Sequence, residues 1–177
     1  MEGMRFTKYD KYGAYHWKQY EQGTKYTKHT DKIVDWVWEL DVLDVGAGDG
    51  LITHKLGAIG IDNEETAVRL AREKGAAVFL GDAYATPIPD DAFDAVTMFD
   101  VLEHFDEPEI ALREARRLAP TLYISTPERG MVNDPFHVRE WTREELPEFM
   151  LENGWELDGK VEVVPENKCM YARFTRV

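Results

Sequence analysis

Residues 42–50 read VLDVGAGDG: an apolar run that stops at three alternating glycines, Gly46, Gly48 and Gly50, with Asp44 and Asp49 set among them. Glycine reaches backbone angles that a β-carbon forbids and lets another group approach the main chain closely. A plain strand-to-helix turn needs one glycine, so three predict a ligand resting against the backbone. Val42–Val45 reads as a buried strand, and Leu51–Leu56 as a short helix stopped by Gly57. The start of such a helix offers N–H groups and a partial positive charge, which suits a ligand with some negative character. The spacing is G-x-G-x-G, not the G-x-G-x-x-G of dinucleotide sites, and no phosphate-loop lysine follows, since the chain reads Gly50-Leu51-Ile52-Thr53. A carboxylate at Asp49 would compete with a pyrophosphate for the same N–H groups. The stretch therefore fits a cofactor with one weak anion and a cationic centre.

Working outward, the chain alternates strands and helices. Strands are expected at 58–61, ending at Asp62, and at 77–80, 93–99 and 122–125, with helices at 64–74 and 108–118 between them. Ile33, Val34, Val37 and Leu40 have helical spacing before the first strand. Thr142 with Glu145 reads as a capping box for a helix ending at Gly154, with Pro147 early in it. Two late strands, near 161–164 and 170–175, follow in direct succession and read as an antiparallel pair. This order predicts an α/β fold: a Rossmann-like, doubly wound, mostly parallel seven-stranded sheet with an antiparallel C-terminal strand. Ligands of such sheets bind outside the carboxyl ends of the strands, where the strand order reverses, and the glycine loop lies there. The division expected is a helical lid segment over residues 1–40 and a core over 41–177.

The 177 residues are 44% hydrophobic and 12% aromatic, enough for one core. No apolar run approaches the roughly 20 residues of a membrane helix, and the first residues, MEGMRFTKYDKYG, lack a signal-peptide core. Cys169 is the one cysteine, which excludes an internal disulfide and a cysteine cluster for zinc or iron–sulfur; it reads as a small core side chain. A reduced, cytoplasmic protein without a metal is expected. The net charge is −13 and uneven: residues 1–33 hold seven Lys/Arg against four Asp/Glu, and residues 34–177 hold fourteen against thirty. An acidic body argues against nucleic acid and anionic membranes as partners. The basic start reads as a solvated helix face on an acidic body, or as a hold for an acidic substrate.

With the motifs in view, the chain resembles class I S-adenosylmethionine-dependent methyltransferases over residues 42 to about 155. VLDVGAGDG is similar to that family's first motif. IGIDN follows, then GDAYATPIPDDAFDAV, then TMFDVLEHF, in family order. The likeness is closest to small-molecule members related to the quinone-biosynthesis methyltransferases. It implies S-adenosyl-L-methionine as cofactor, with Asp62 on the ribose hydroxyls, Asn63 beside it, Asp82 and Ala83 beside the adenine, and Phe99 and Asp100 toward the methyl-transfer pocket. It also implies that Asp44, Gly46, Ala47, Gly48 and Gly50 form the cofactor loop.

The residues themselves agree. Two vicinal hydroxyls need an acceptor-only, bidentate partner, and a carboxylate at a strand end supplies it; Asp62 could alternatively cap the next helix, although Asn63 can serve there. Asp82 can accept from an amino group or close a turn after Gly81. Asp44 lies inside an apolar strand and is expected to accept from the loop backbone or from a ligand ammonium. An oxygen or nitrogen acceptor needs a base. His104 is one candidate and His137, in the long loop NDPFHVREW, is another; Asp100 and Glu103 are placed to orient the acceptor or offset a cation. Tyr12, His16 and Trp17 could form a lid that excludes water, or simply pack. No Asn/Asp-Pro-Pro-Tyr/Phe motif follows the fourth strand, no Pro-Cys nucleophile occurs, and no cysteine triplet is present. The expectation is methyl transfer to a small molecule through an O, N or C nucleophile. The alternatives are a non-catalytic cofactor-binding regulatory module, an aminopropyl transferase, and a dinucleotide oxidoreductase, the last disfavoured by the loop spacing.

Overall fold

The computed structural model describes residues 8–177; Phe6, Arg5 and the rest of the first seven residues lie outside them. Three helices come first: α1 (Lys8–Tyr12), α2 (Tyr15–Glu21) and α3 (Lys25–Trp36). The alternating core follows as β1 (Val42–Val45), α4 (Leu51–Leu56), β2 (Ile59–Asp62), α5 (Glu65–Glu73), β3 (Val78–Leu80), β4 (Ala95–Phe99), α6 (Pro108–Leu118) and β5 (Thr121–Pro127). It closes with α7 (Glu145–Glu152), β6 (Trp155–Val164) and β7 (Cys169–Arg176). The seven strands lie in the order β3-β2-β1-β4-β5-β7-β6. β1 to β5 are parallel, while β7 runs antiparallel to β5 and to β6. The doubly wound sheet with one antiparallel strand near the C-terminus is therefore as expected.

Side-chain alternation along the strands sorts the core into two faces. Leu43, Val45, Val96, Met98, Leu122 and Ile124 point to the face covered by α6 and α7, where they meet Leu112, Leu118, Leu146 and Trp155. Val42, Ala95 and Tyr123 point to the other face and meet Ile33 of α3 and Ile52 of α4. Asp44 shares that second face by parity with Val42. Each buried aliphatic side chain contributes on the order of 1.5–3 kcal/mol.

Local signals account for most boundaries. The capping box before α7 is reciprocal: Glu145 N donates to Thr142 Oγ1 at 3.2 Å and Thr142 N to Glu145 Oε2 at 3.0 Å. β6 starts six residues before the expected 161, because a register shift between Asp158 and Glu162 interrupts its alternation. α3 stops at Trp36 and Val37 is already extended, so Leu40 is 88% exposed and leaves the helical stripe that its spacing suggested. No helix among the described residues is long and apolar enough to cross a membrane.

Candidate active site

The carboxyl ends of β1 to β5 converge under α1–α3 and enclose a cavity of about 820 Å³. Asp44, Gly46, Ala47, Gly48, Asp62, Asn63, Asp82, Ala83, Phe99, Asp100, His104 and His137 all line it, as do Glu103 and Cys169. Gly50 does not. A β-carbon there would stand 2.5 Å from Ala76 Cβ and 2.8 Å from Ala71 Cβ, so this glycine lets α4 and α5 pack closely. At Gly48 φ is +55°, and a β-carbon would fall on the Tyr9 hydroxyl. The bend thus bares its main chain partly to an aromatic ring of α1, not wholly to a ligand.

The loop amides correct a second expectation. Gly46 N and Ala47 N donate to Ile61 O, and Gly48 N donates to Asp62 Oδ2 at 2.8 Å. These three amides are therefore taken by β2 and not by a ligand. Asp62 Oδ1 accepts from Glu64 N at 2.8 Å. One carboxylate therefore ties the glycine loop to the start of α5, whose cap is Glu64 and not Asn63. Burial raises the Asp62 pKa from its ordinary value.

Asp44 does not bind the loop backbone. It is 3% exposed, and it accepts from Thr53 Oγ1 at 2.6 Å and Thr97 Oγ1 at 2.8 Å. Burial pushes its carboxyl up to about 6 in spite of those two bonds. Asp49 is fully buried, and it too serves a different partner from the one expected. His16 N donates to its Oδ2 at 3.0 Å, His16 Nδ1 lies 3.1 Å from Oδ1, and Trp17 Nε1 donates to its carbonyl at 2.7 Å. Asp49 thereby pins α2 to the glycine loop. Of the three residues read as a lid, only His16 lines the cavity; Trp17 is held against the Asp49 carbonyl, and Tyr12 is 50% exposed.

Beyond β4 the chain turns sharply at Asp100, a non-glycine residue at φ +53°. The conformation is held from several sides. Asp100 N donates to Ser125 O at 2.8 Å, Ser125 Oγ donates to Asp100 Oδ1 at 2.6 Å, and His29 Nε2 lies 3.4 Å from Oδ2. A non-glycine residue keeps such a conformation only where its surroundings hold it. Glu103 is 1% exposed; burial and the neighbouring Asp100 charge hold its carboxyl well above the usual range. Burial lowers the His104 pKa, which leaves the ring neutral near pH 7. His104 Nδ1 lies 2.9 Å from Phe136 O, and His137 Nδ1 lies 2.7 Å from Glu140 Oε1. The two rings meet edge to face at 5.1 Å. Cys169 is buried as expected, and its thiol is pushed up by that burial.

Residues 43–120 match the family model described as a methyltransferase domain. A Mycobacterium tuberculosis protein described as a probable S-adenosylmethionine-dependent methyltransferase is 30% identical over 132 residues, covering 65% of this chain and 48% of that one. Residues 43–120 thus carry a methyltransferase domain, with S-adenosylmethionine-dependent enzymes among its relatives. Two solved structures share the fold at a TM-score of 0.74. One, from Thermotoga maritima and described as a possible histamine N-methyltransferase, is 22% identical, with 97% of this chain and 95% of that one covered. The other is from a Haloferax volcanii complex with the Trm112 methyltransferase activator, 18% identical, with 96% of each chain covered. The chain spans about half the length of the curated relatives it matches, 48% for the Mycobacterium protein.

Reading the sequence missed seven cavity residues contributed by the N-terminal helices, among them Tyr9, Tyr15, Tyr26 and His29. Tyr26, His29 and Ile33 share one face of α3 at helical spacing, which was the available signal. His29 is 3% exposed, with Nδ1 2.5 Å from the Tyr171 hydroxyl. Burial raises the Tyr9 and Tyr26 phenols well above their ordinary range, so both remain neutral donors. Nothing local singles out Tyr9.

Proposed function

We propose that this chain binds S-adenosyl-L-methionine and transfers its methyl group to a small-molecule acceptor through an oxygen, nitrogen or carbon nucleophile. The observation that carries the reading is the charge of the cavity. Among its described lining residues, nine are Asp or Glu and two are Lys. Such a site favours a cationic occupant and disfavours a polyphosphate. Bound S-adenosylmethionine supplies an electrophilic methyl on a positively charged sulfur.

The chain's own residues do the rest. A carboxylate has about four lone-pair sites, and the two backbone bonds of Asp62 leave acceptor capacity for vicinal hydroxyls. Asp44, on the cavity floor, can balance an ammonium. Asp82 closes a turn through Tyr84 N, and its other oxygen remains for an amino group. Ala83 and Phe99 supply apolar wall, and Asn63 lies beside the ribose partner. Asp100 and one of His104 and His137 hold or take the acceptor proton. Alignment of two reactants accounts for up to about 7–11 kcal/mol of barrier lowering, and the segment up to residue 40 acts as a lid over the core of residues 41–177. The enclosed cavity and the acidic body support a small acceptor.

Calorimetry with S-adenosylhomocysteine, followed by a labelled-methyl screen of small metabolites, tests this reading. One bound ligand and turnover on at least one acceptor class are expected. Binding without turnover on any acceptor would mark a non-catalytic module, and absence of binding would end the reading.

A further inference from the structure

Asp100 and Glu103 line the cavity, and neither makes an ion pair with a Lys or Arg among the described residues. Asp100 is held by neutral groups only. Ser125 Oγ donates to Oδ1 at 2.6 Å, the Cys169 thiol lies 3.5 Å from the same oxygen, and His29 Nε2 lies 3.4 Å from Oδ2. Burial lowers the His29 pKa and keeps the ring neutral. Asn167 Nδ2 donates to the Tyr171 hydroxyl oxygen at 3.0 Å, and that hydroxyl donates to His29 Nδ1 at 2.5 Å. The ring hydrogen therefore sits on Nε2, which is buried without a hydrogen-bond partner and faces Asp100. The Asp100 side chain is still 34% exposed. Glu103 is 1% exposed; Thr126 Oγ1 donates to its Oε2 at 3.0 Å, and Oε1 is buried without a partner among the described residues. Such a carboxylate is costly unless a cation meets it. Ser125 and Thr126 are consecutive at the end of β5, so one strand end fixes both carboxylates. The cavity's lysines do not serve them: Lys8 is paired with Asp134 at 2.5 Å, and Lys25 is exposed and makes no ion pair with either.

We infer that the methyl acceptor is a small amine, bound as its ammonium with an N–H directed at Asp100 Oδ2 and with the Glu103 carboxylate as a second negative charge. This names the acceptor class of the proposed methyl transfer and rests on that reading. A sulfonium brings one positive charge, and two carboxylates stand here. A nearby ammonium favours the ionised form of Glu103, which burial and Asp100 otherwise oppose. An oxygen acceptor would have to develop negative charge beside these groups, which their field opposes. A nitrogen acceptor moves the other way. The ammonium gives one proton to the groups already named for it. Its lone pair then forms the bond to the methyl carbon, the sulfur keeps the electrons of the broken bond, and the nitrogen ends positively charged. Fixed carboxylates stabilise that developing charge. Tyr26 and Phe105 line the same cavity and offer an aromatic wall to the apolar part of the amine.

The test is calorimetry of the full chain saturated with S-adenosylhomocysteine. The probes are propylamine, phenethylamine and tryptamine, each compared with the alcohol and the carboxylic acid of the same carbon skeleton. At least one amine should bind about 10-fold or more tightly than its alcohol, the worth of one charge-assisted hydrogen bond, and the matched carboxylate should bind more weakly than either. Glu103→Gln and Asp100→Asn should each lower the amine-to-alcohol affinity ratio about 10-fold. Asn tolerates the left-handed backbone of position 100. Amine and alcohol meet the same folded variant, so their ratio reports the lost charge and not lost structure, and the wild-type ratios stand by themselves should a variant fail to fold. Alcohols or carboxylates binding as tightly as the amines, no binding by any of the amines, or ratios unchanged in both variants overturns the inference. Absence of S-adenosylhomocysteine binding would sink the methyl-transfer reading; its binding with the amines rejected would sink only the amine assignment.

Discussion

Asp62→Asn separates the two tasks of one carboxylate. The side chain keeps its shape but exchanges one acceptor oxygen for an NH₂ group. In the wild type both oxygens accept backbone N–H bonds, from Gly48 and from Glu64, each at 2.8 Å. After substitution one of those N–H groups faces another donor. Losing a hydrogen bond to a charged group costs about 1.5–3 kcal/mol, so the unliganded protein should lose about that much stability in urea titrations. The ribose hydroxyls lose one of their acceptors as well. At 1.4 kcal/mol per decade, a similar loss weakens S-adenosylhomocysteine about 10- to 150-fold by calorimetry. Nucleoside affinity within twofold of wild type, alongside reduced stability, would make Asp62 a loop anchor only. Unchanged stability would refute the inferred strength of the Gly48 tie.

Three other substitutions probe the same architecture. Gly48→Ala combines a positive φ with a clash at the Tyr9 hydroxyl, so it should destabilise by more than the roughly 1–2 kcal/mol of a left-handed residue, and Tyr9→Phe should restore part of the excess in a double-mutant cycle. Burial lifts the folded-state pKa of Asp44 from 3.8 to about 6. Its contribution is therefore present below about pH 4 and lost as pH rises through about 6, about 3 kcal/mol in all. Asp44→Asn should flatten that part of the pH–stability curve, and a parallel curve in the variant would contradict the assignment. Asp49→Ala removes the partner of His16 and should speed limited proteolysis within residues 8–36, whereas Asp49→Asn, which can still accept from His16 N, should protect more than Asp49→Ala does.

The fold was legible because its signals are local. Glycine punctuation, strand alternation and the Thr142–Glu145 box each act within a few residues, and the β1–α4 turn and the α7 cap follow from them. The cavity lining was legible where a carboxylate ends a strand, as at Asp62, or follows one, as at Asp100. What resisted reading depended on distant partners. Asp44 looked like a ligand for its own loop, but the sheet sets Thr97 of β4 beside it and α4 brings Thr53. Asp49 looked like a helix-start charge, yet it answers to α2, thirty-three residues earlier. Leu40 matched a helical period after the helix had already ended at Trp36. His29 reaches the cavity only because α3 packs across β7 at Tyr171.

A crystal of the full chain soaked with S-adenosylhomocysteine tests the account most directly. Density should show the ribose hydroxyls within hydrogen-bond distance of Asp62, the sulfur facing the Asp100–His104 turn, and Tyr9 still over Gly48. Density for the nucleoside anywhere else, or none at saturating concentration, would contradict it.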